Sequence, residues 1–220
     1  MCGRYYIDQL IYDELDRIYV EIEKQIRQNY FQGADEAADV LEDRAAQYQP
    51  LTGITTGDIH PSDTAPVICM DESFPVLRMQ KWGFPPYKGT GLIFNARSES
   101  VREKPMFRDS FLSGRILVPA RGFYEWNRQK EKNDFRSEDA SLLLMAGLCK
   151  AFPEGERFTI LTTEANSSMA PVHDRMPVLV GRESAADWLF SAEKAVRLLQ
   201  EIPPLLKRSS EYEQQTLWSL

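Results

Sequence analysis

Between residues 76 and 180 the chain reads as a succession of short apolar runs: Val76–Met79, Leu92–Phe94, Arg115–Val118, Phe123–Trp126, Leu142–Leu148, Phe158–Thr162 and Val178–Val180. Runs of this length, bounded by Gly, Pro, Asn and Asp, read as strands. Neighbouring parallel strands need a crossover of a dozen or more residues, usually a helix. No helical period is regularly interposed here, so the pattern selects an antiparallel or mixed sheet over a doubly wound one. Helices are placed at the two ends instead. Ile11, Leu15, Ile18, Ile22 and Ile26 recur at helical spacing between charged residues, which predicts an amphipathic helix used for packing. An acidic, Ala-rich continuation extends this helical or loose segment over about residues 9–48, and PLTGITTGDIHPSDTAP then reads as an irregular connection. A late helix starts near Ser184, where Ser184-Ala-Ala-Asp187 resembles a capping box, with Trp188, Leu189, Ala192, Val196 and Leu199 on its buried side. Residues 127–139, NRQKEKNDFRSED, read as an exposed hairpin loop. The expectation is an α+β fold forming a single domain over residues 1–220.

Several function classes are disfavoured by composition. No eighteen-residue apolar stretch and no apolar run behind a basic start occurs, so neither a membrane span nor a signal peptide is expected, and a cytoplasmic location follows. Cys2, Cys69 and Cys149 are odd in number, far apart and without CxxC spacing, and His60 and His173 are the two histidines, so neither a disulfide framework nor a metal site is expected, nor any cofactor. The net charge of −7 speaks against a polyanionic partner, yet it is unevenly spread. Segment 78–136 holds 13 basic and 6 acidic residues. Such a segment can form one positive surface or scatter as solvated charge.

Cys2, directly behind the initiator, carries the most distinctive chemistry. Removal of Met1 would leave an α-amine and a thiol on neighbouring carbons, with unperturbed pKa values of about 7.7–8.0 and about 8.5. An amine converts an aldehyde to an imine, and an adjacent thiolate closes on that imine to give a thiazolidine. Glu125, in RGFYEW, shares a strand face with Phe123, while Tyr124 and Trp126 take the other; a carboxyl among three aromatics is a candidate for proton transfer. His173, in PVHDRMPVL, sits in a loop feeding a strand and could act as general acid or base, with Asp174 and Arg175 orienting it or pairing with each other. Asn95 ends an apolar run with an amide that donates and accepts at once, and Arg97 points to the same side if the strand continues. Trp82 offers either a base-stacking face or core filling.

MCGRY, KWGFPP, NARSES, RGFYEW and HDRMPVL, in that order over residues 1 to about 180, resemble the SRAP family, the SOS response-associated peptidase proteins that act at abasic sites in single-stranded DNA. The resemblance implies a curved, mostly antiparallel barrel-like sheet flanked by helices. It implies that Cys2 cross-links to the ring-opened deoxyribose of an abasic site, and that Met1 is self-removed. Asn95 would position the reacting amine or sugar, Glu125 would shuttle protons at the Cys2 amine, and His173 would assist ring opening, with weak lyase or reversal activity from the same groups. Arg4 and Arg97 would contact phosphate, and Pro61 and Trp82 would stack beside the lesion. The implied partner is single-stranded DNA containing abasic sites, bound by a monomer. GDIHP before Pro61 and the chain's last twenty residues depart from the family pattern. Competing readings are an amidohydrolase, since class II glutamine amidotransferases also begin Met-Cys-Gly, a peptidase using Cys2 and His173, and a noncatalytic single-strand DNA binder.

Overall fold

A computed structural model describes residues 3–9, 11–31, 56–72 and 74–210, without the side chains of Tyr12 and Asp13. Cys2 and the expected helical continuation over 32–48 lie outside the described residues.

Five strands close into a mixed barrel. β3 (Thr64–Asp71), β4 (Phe74–Trp82), β6 (Arg115–Ala120), β9 (Leu143–Phe152) and β10 (Gly155–Glu164) pair in the circuit β10-β4-β3-β6-β9, and β9 returns to β10. The β4–β10 pair is parallel, while the β3–β4, β3–β6, β6–β9 and β9–β10 pairs are antiparallel. All six residues of β6 are buried, which explains why this strand reads as a continuous apolar run. The outer half of β10 is flanked by two short strands. After β4 leaves the ladder at Trp82, the chain loops and rejoins β10 in parallel as β5 (Asn95–Arg97), while β11 (Arg175–Pro177) pairs with residues 162–164.

The second sheet has the order β12-β8-β7-β1-β2, antiparallel throughout: β12 (Lys207–Ser210), β8 (Lys132–Arg136), β7 (Gly122–Trp126), β1 (Tyr5–Ile7) and β2 (Gly57–Ile59). β6 passes into β7 through Arg121 alone. The Arg121 guanidinium holds this corner, 2.9 Å from Asp8, 3.1 Å from Glu14 and 2.6 Å from the Ala140 carbonyl. One hydrophobic core runs through both sheets.

Helix α1 (Ile11–Tyr30) buries the expected stripe, Ile11, Leu15, Ile18, Ile22 and Ile26, each at most 2 % exposed. Helices α2 (Pro105–Ser113), α3 (Ala185–Phe190) and α4 (Ala192–Leu198) are the other α-helices among the described residues. The buried Arg115 side chain donates to the carbonyls of Phe111 and Leu112 at the end of α2, and of Trp188 and Leu189 near the end of α3. It thereby satisfies carbonyls that two helix ends would otherwise leave unpaired.

The structure departs from expectation locally. Ser184 makes no side-chain cap; the helical region breaks at Ser191, whose hydroxyl instead caps α4 by accepting from the Lys194 N–H at 3.2 Å. Leu92–Phe94 forms only an isolated bridge, Ile93 to Phe84, because the Gly- and Pro-rich loop delays the ladder until Asn95. The strand expected at 178–180 lies at 175–177, with Leu179 bridging Met145. The loop expected at 127–139 contains β8, and the irregular connection before residue 67 contains β2 and the start of β3.

Candidate active site

β1 threads between β2 and β7, and this fixes where the chain begins relative to Glu125. Tyr5 pairs with Phe123 and Tyr6 with Gly122, and the Tyr124 N–H donates to the Arg4 carbonyl at 3.0 Å. The antiparallel register therefore directs Gly3 along β7 towards Glu125. Alternation along β7 is as expected: Phe123 and Glu125 face inward and Tyr124 and Trp126 outward. Glu125 is only 5 % exposed and lies on a central strand rather than an edge. Opposite it on β8 is the buried Asn133, whose amide donates to the Glu131 carbonyl at 3.0 Å.

His173 is held by the turn before β11. Its N–H donates to the Met169 carbonyl at 3.1 Å, and its Nδ1 accepts from the Arg175 N–H at 2.9 Å. The Asp174 carboxylate lies 2.8 Å from the same Nδ1. The Nδ1 lone pair can accept from the Arg175 N–H, whereas a proton on Nδ1 would face Asp174. Arg175 does not pair with Asp174. Its guanidinium forks onto Glu99 at 2.5 and 2.9 Å and reaches the Thr162 carbonyl at 2.6 Å. The hydrogen bond from Arg175 holds the Glu99 carboxyl below its ordinary range. A cleft of about 590 Å³ joins the two regions, with Trp126, Asn127 and Arg128 on one side and His173 and Asp174 on the other.

Asn95, half-buried, opens β5 opposite Ile160, and the exposed Arg97 lies opposite Thr162. β5 and β11 thus flank the same end of β10, which brings Asn95 and the His173 turn to one end of the barrel. The Arg4 guanidinium is 3.8 Å from Asp58 and lies over the Trp126 ring at 5.2 Å. Pro61 occupies the second place of a turn closed by the Asp63 N–H on the His60 carbonyl at 3.0 Å, with Ser62 at φ 81°. Trp82 corrects the stacking expectation. Its ring is 0 % exposed, enclosed by Tyr5, Phe94 and Phe158, and its N–H donates to the Phe94 carbonyl at 2.8 Å, so it has no free face for a base. The Arg175–Glu99 clamp escapes sequence reasoning, because nothing in the spacing links residues 76 positions apart. No group of His, Cys, Asp or Glu suited to a metal occurs among the described residues.

With this geometry in view, the relatives fall into place. The family model for SOS response associated peptidase (SRAP) matches residues 1–216. The abasic site processing protein YoqW of Bacillus subtilis (strain 168) is 37 % identical over 169 residues, covering 68 % of this chain and 75 % of that protein. YoaM of the same organism, also named an abasic site processing protein, is 32 % identical over 170 residues, covering 71 % of this chain and 73 % of its own. Among solved structures, a phage-related protein from Bordetella bronchiseptica superposes with a TM-score of 0.69 at 24 % identity, covering 95 % of this chain and 93 % of that one, and so shares the fold. From its first motif to its last strand, this chain belongs to the SRAP family.

Proposed function

We propose that this protein processes abasic sites in single-stranded DNA by covalent capture at Cys2. With Met1 removed, the α-amine of Cys2 adds to the aldehyde carbon of the ring-opened deoxyribose. Loss of one water gives an imine, and the Cys2 thiolate then adds to the imine carbon. The nitrogen takes up a proton, and a thiazolidine closes. Glu125 accepts and returns the proton at the amine, and its burial restricts exchange of that proton with bulk water. His173 carries the proton that opens the sugar ring, and its ring is oriented by the Arg175 N–H at Nδ1. Asn95 holds the sugar or amine, and Arg4 and Arg97 contact phosphate. Run backwards, or diverted to β-elimination, the same groups give reversal or weak lyase activity.

The observation that carries this reading is the register of β1 on β7, which directs Gly3, the neighbour of Cys2, along the strand bearing the buried Glu125. Sequence relatives named as abasic site processing proteins support the same substrate. The test is denaturing gel electrophoresis after mixing the protein with single strands carrying one abasic site or an intact base, beside a Cys2→Ala variant. A heat-stable shifted band, restricted to the abasic strand and absent in the variant, is expected. No band from protein whose intact mass shows Met1 removed would overturn the reading.

A further inference from the structure

The segment joining α4 to β12 presents apolar side chains to solvent on a backbone that is held in place. Pro203 and Pro204 have restricted φ angles and no N–H, and their carbonyls accept from the Asn166 amide at 2.8 and 2.9 Å. Asn166 is itself tied, its Oδ1 accepting from the Ser168 N–H at 3.0 Å and from the Ser168 hydroxyl at 2.6 Å. The Ser168 oxygen in turn accepts from the Leu206 N–H at 3.1 Å. Among these anchors Ile202 is 82 % exposed and Leu205 54 % exposed. Single exposed apolar residues are ordinary on a protein surface. Here two of them stand on one anchored segment, and both line a cleft of about 560 Å³.

The end of β10 and the residues after it supply another wall of this cleft. Glu99, Glu164 and Glu201 line it, and no Lys, Arg or His does. Glu99 is engaged by Arg175, whereas Glu164 and Glu201 are exposed and make no ion pair among the described residues. The surface therefore joins apolar side chains to uncompensated negative charge. Those carboxylates repel a nucleic acid strand. A polypeptide with Lys or Arg beside apolar side chains complements both features, apolar on apolar and cation on carboxylate.

We propose that this cleft docks an extended segment of another protein, one in which apolar side chains lie beside Lys or Arg. The apolar groups pack on Ile202 and Leu205, and the cations meet Glu164 and Glu201. Because the backbone under Ile202 and Leu205 is already anchored, docking orders little of this chain. The cleft shares no lining residue with the one that holds His173, so a docked partner leaves the candidate active site open.

Fluorescence anisotropy tests this with labelled peptides of about ten residues, one alternating lysine and leucine, one lysine and serine, and one glutamate and leucine. The lysine–leucine peptide should bind the wild type at least about tenfold more tightly than either of the others, since it alone meets both features. Ile202→Ser/Leu205→Ser should weaken it by at least about tenfold. Glu164→Gln/Glu201→Gln should weaken it about threefold at low salt and have no effect at about 1 M salt, where charge is screened within about 3 Å. Val20→Ser/Glu21→Gln, a matched exposed pair on α1, should bind as the wild type does. All the altered side chains are exposed, so melting temperatures should match and a loss of binding reports the surface rather than the fold. Equal binding of the lysine–serine peptide, undiminished binding by Ile202→Ser/Leu205→Ser, or no binding of the lysine–leucine peptide to the wild type would each overturn the proposal. Cys2→Ala should bind the peptide normally, so docking and covalent capture stand or fall separately.

Discussion

The barrel and the five-stranded sheet come from one chain and share one core, but they differ in what surrounds their strands. In the barrel every member strand has two neighbours, and β6 is buried along its whole length. In the open sheet β7 and β8 alternate buried and exposed residues, and among the described residues β12 and β2 are its outer strands. A closed sheet leaves no unpaired ladder, and its exposed residues sit towards the ends of β9 and β10 and along one side of β4. The open sheet keeps a buried carboxylate on one face and a charged, aromatic face on the other. Substitutions at the buried Glu125 of the open sheet and in the fully buried β6 of the barrel should therefore act differently.

The largest separation is expected at Glu125. Glu125→Gln keeps shape and volume while removing the proton acceptor, so single-turnover cross-linking should slow by about a hundredfold to ten-thousandfold with the melting temperature nearly unchanged. A comparable fall in melting temperature would break the division. The mirror case is Leu117→Ala, in the fully buried β6 between Ile68 and Ala146. Loss of about 2–5 kcal/mol is expected, and at temperatures where the variant stays folded it should cross-link at the wild-type rate. Arg115→Met sharpens the comparison at smaller cost. It strips the carbonyls of Phe111, Leu112, Trp188 and Leu189 of their donor, and urea unfolding should show a loss of about 1–3 kcal/mol without a change in cross-linking.

The smallest effect is expected beside the barrel strand β10, where Glu99 clamps Arg175 of β11. Glu99 has a carboxyl pKa lowered from its ordinary 4.5, so the pair's contribution is complete above that value and is lost as pH falls through the lower, folded-state value. The pair is partly exposed, so the contribution is below about 1 kcal/mol. The melting-temperature gap between wild type and Glu99→Gln should be constant near neutral pH and close as the pH falls below the ordinary carboxyl value of 4.5. A gap that widens on acidification would show the clamp to be misassigned.

How much of this is legible in the sequence follows the same division. The barrel strands β4, β6, β9 and β10 announce themselves as apolar runs, and the Ile11-to-Ile26 stripe announces α1, because burial on a large scale leaves a composition trace. The open sheet leaves little. YYI, GDI, KNDFR and KRSS are three to five residues long, too short to show a period, and they are strands because each pairs with a neighbour in a sheet centred on β7. Of the candidate site residues, Glu125 and His173 stand where alternation and Pro177 put them, on a strand face and in a loop ahead of a strand. Trp82 reads as a stacking candidate and is not one, since nothing local reveals that Tyr5 and Phe158, far away in sequence, enclose it. The Glu99 clamp is invisible for the same reason.

The placement of β1 has a consequence for synthesis. The first residues of the chain leave the ribosome first, yet one of the strands that seats them, β7, ends only at Trp126. Until more than half of the polypeptide has been made, Arg4 and Tyr5 have no neighbour of that sheet to register against apart from β2. Under the capture reading, a nascent chain carries its reactive group unmounted, with no buried carboxylate beside it. On that reading, the first strand reaches its place beside Glu125 only after the β7 template has emerged and folded.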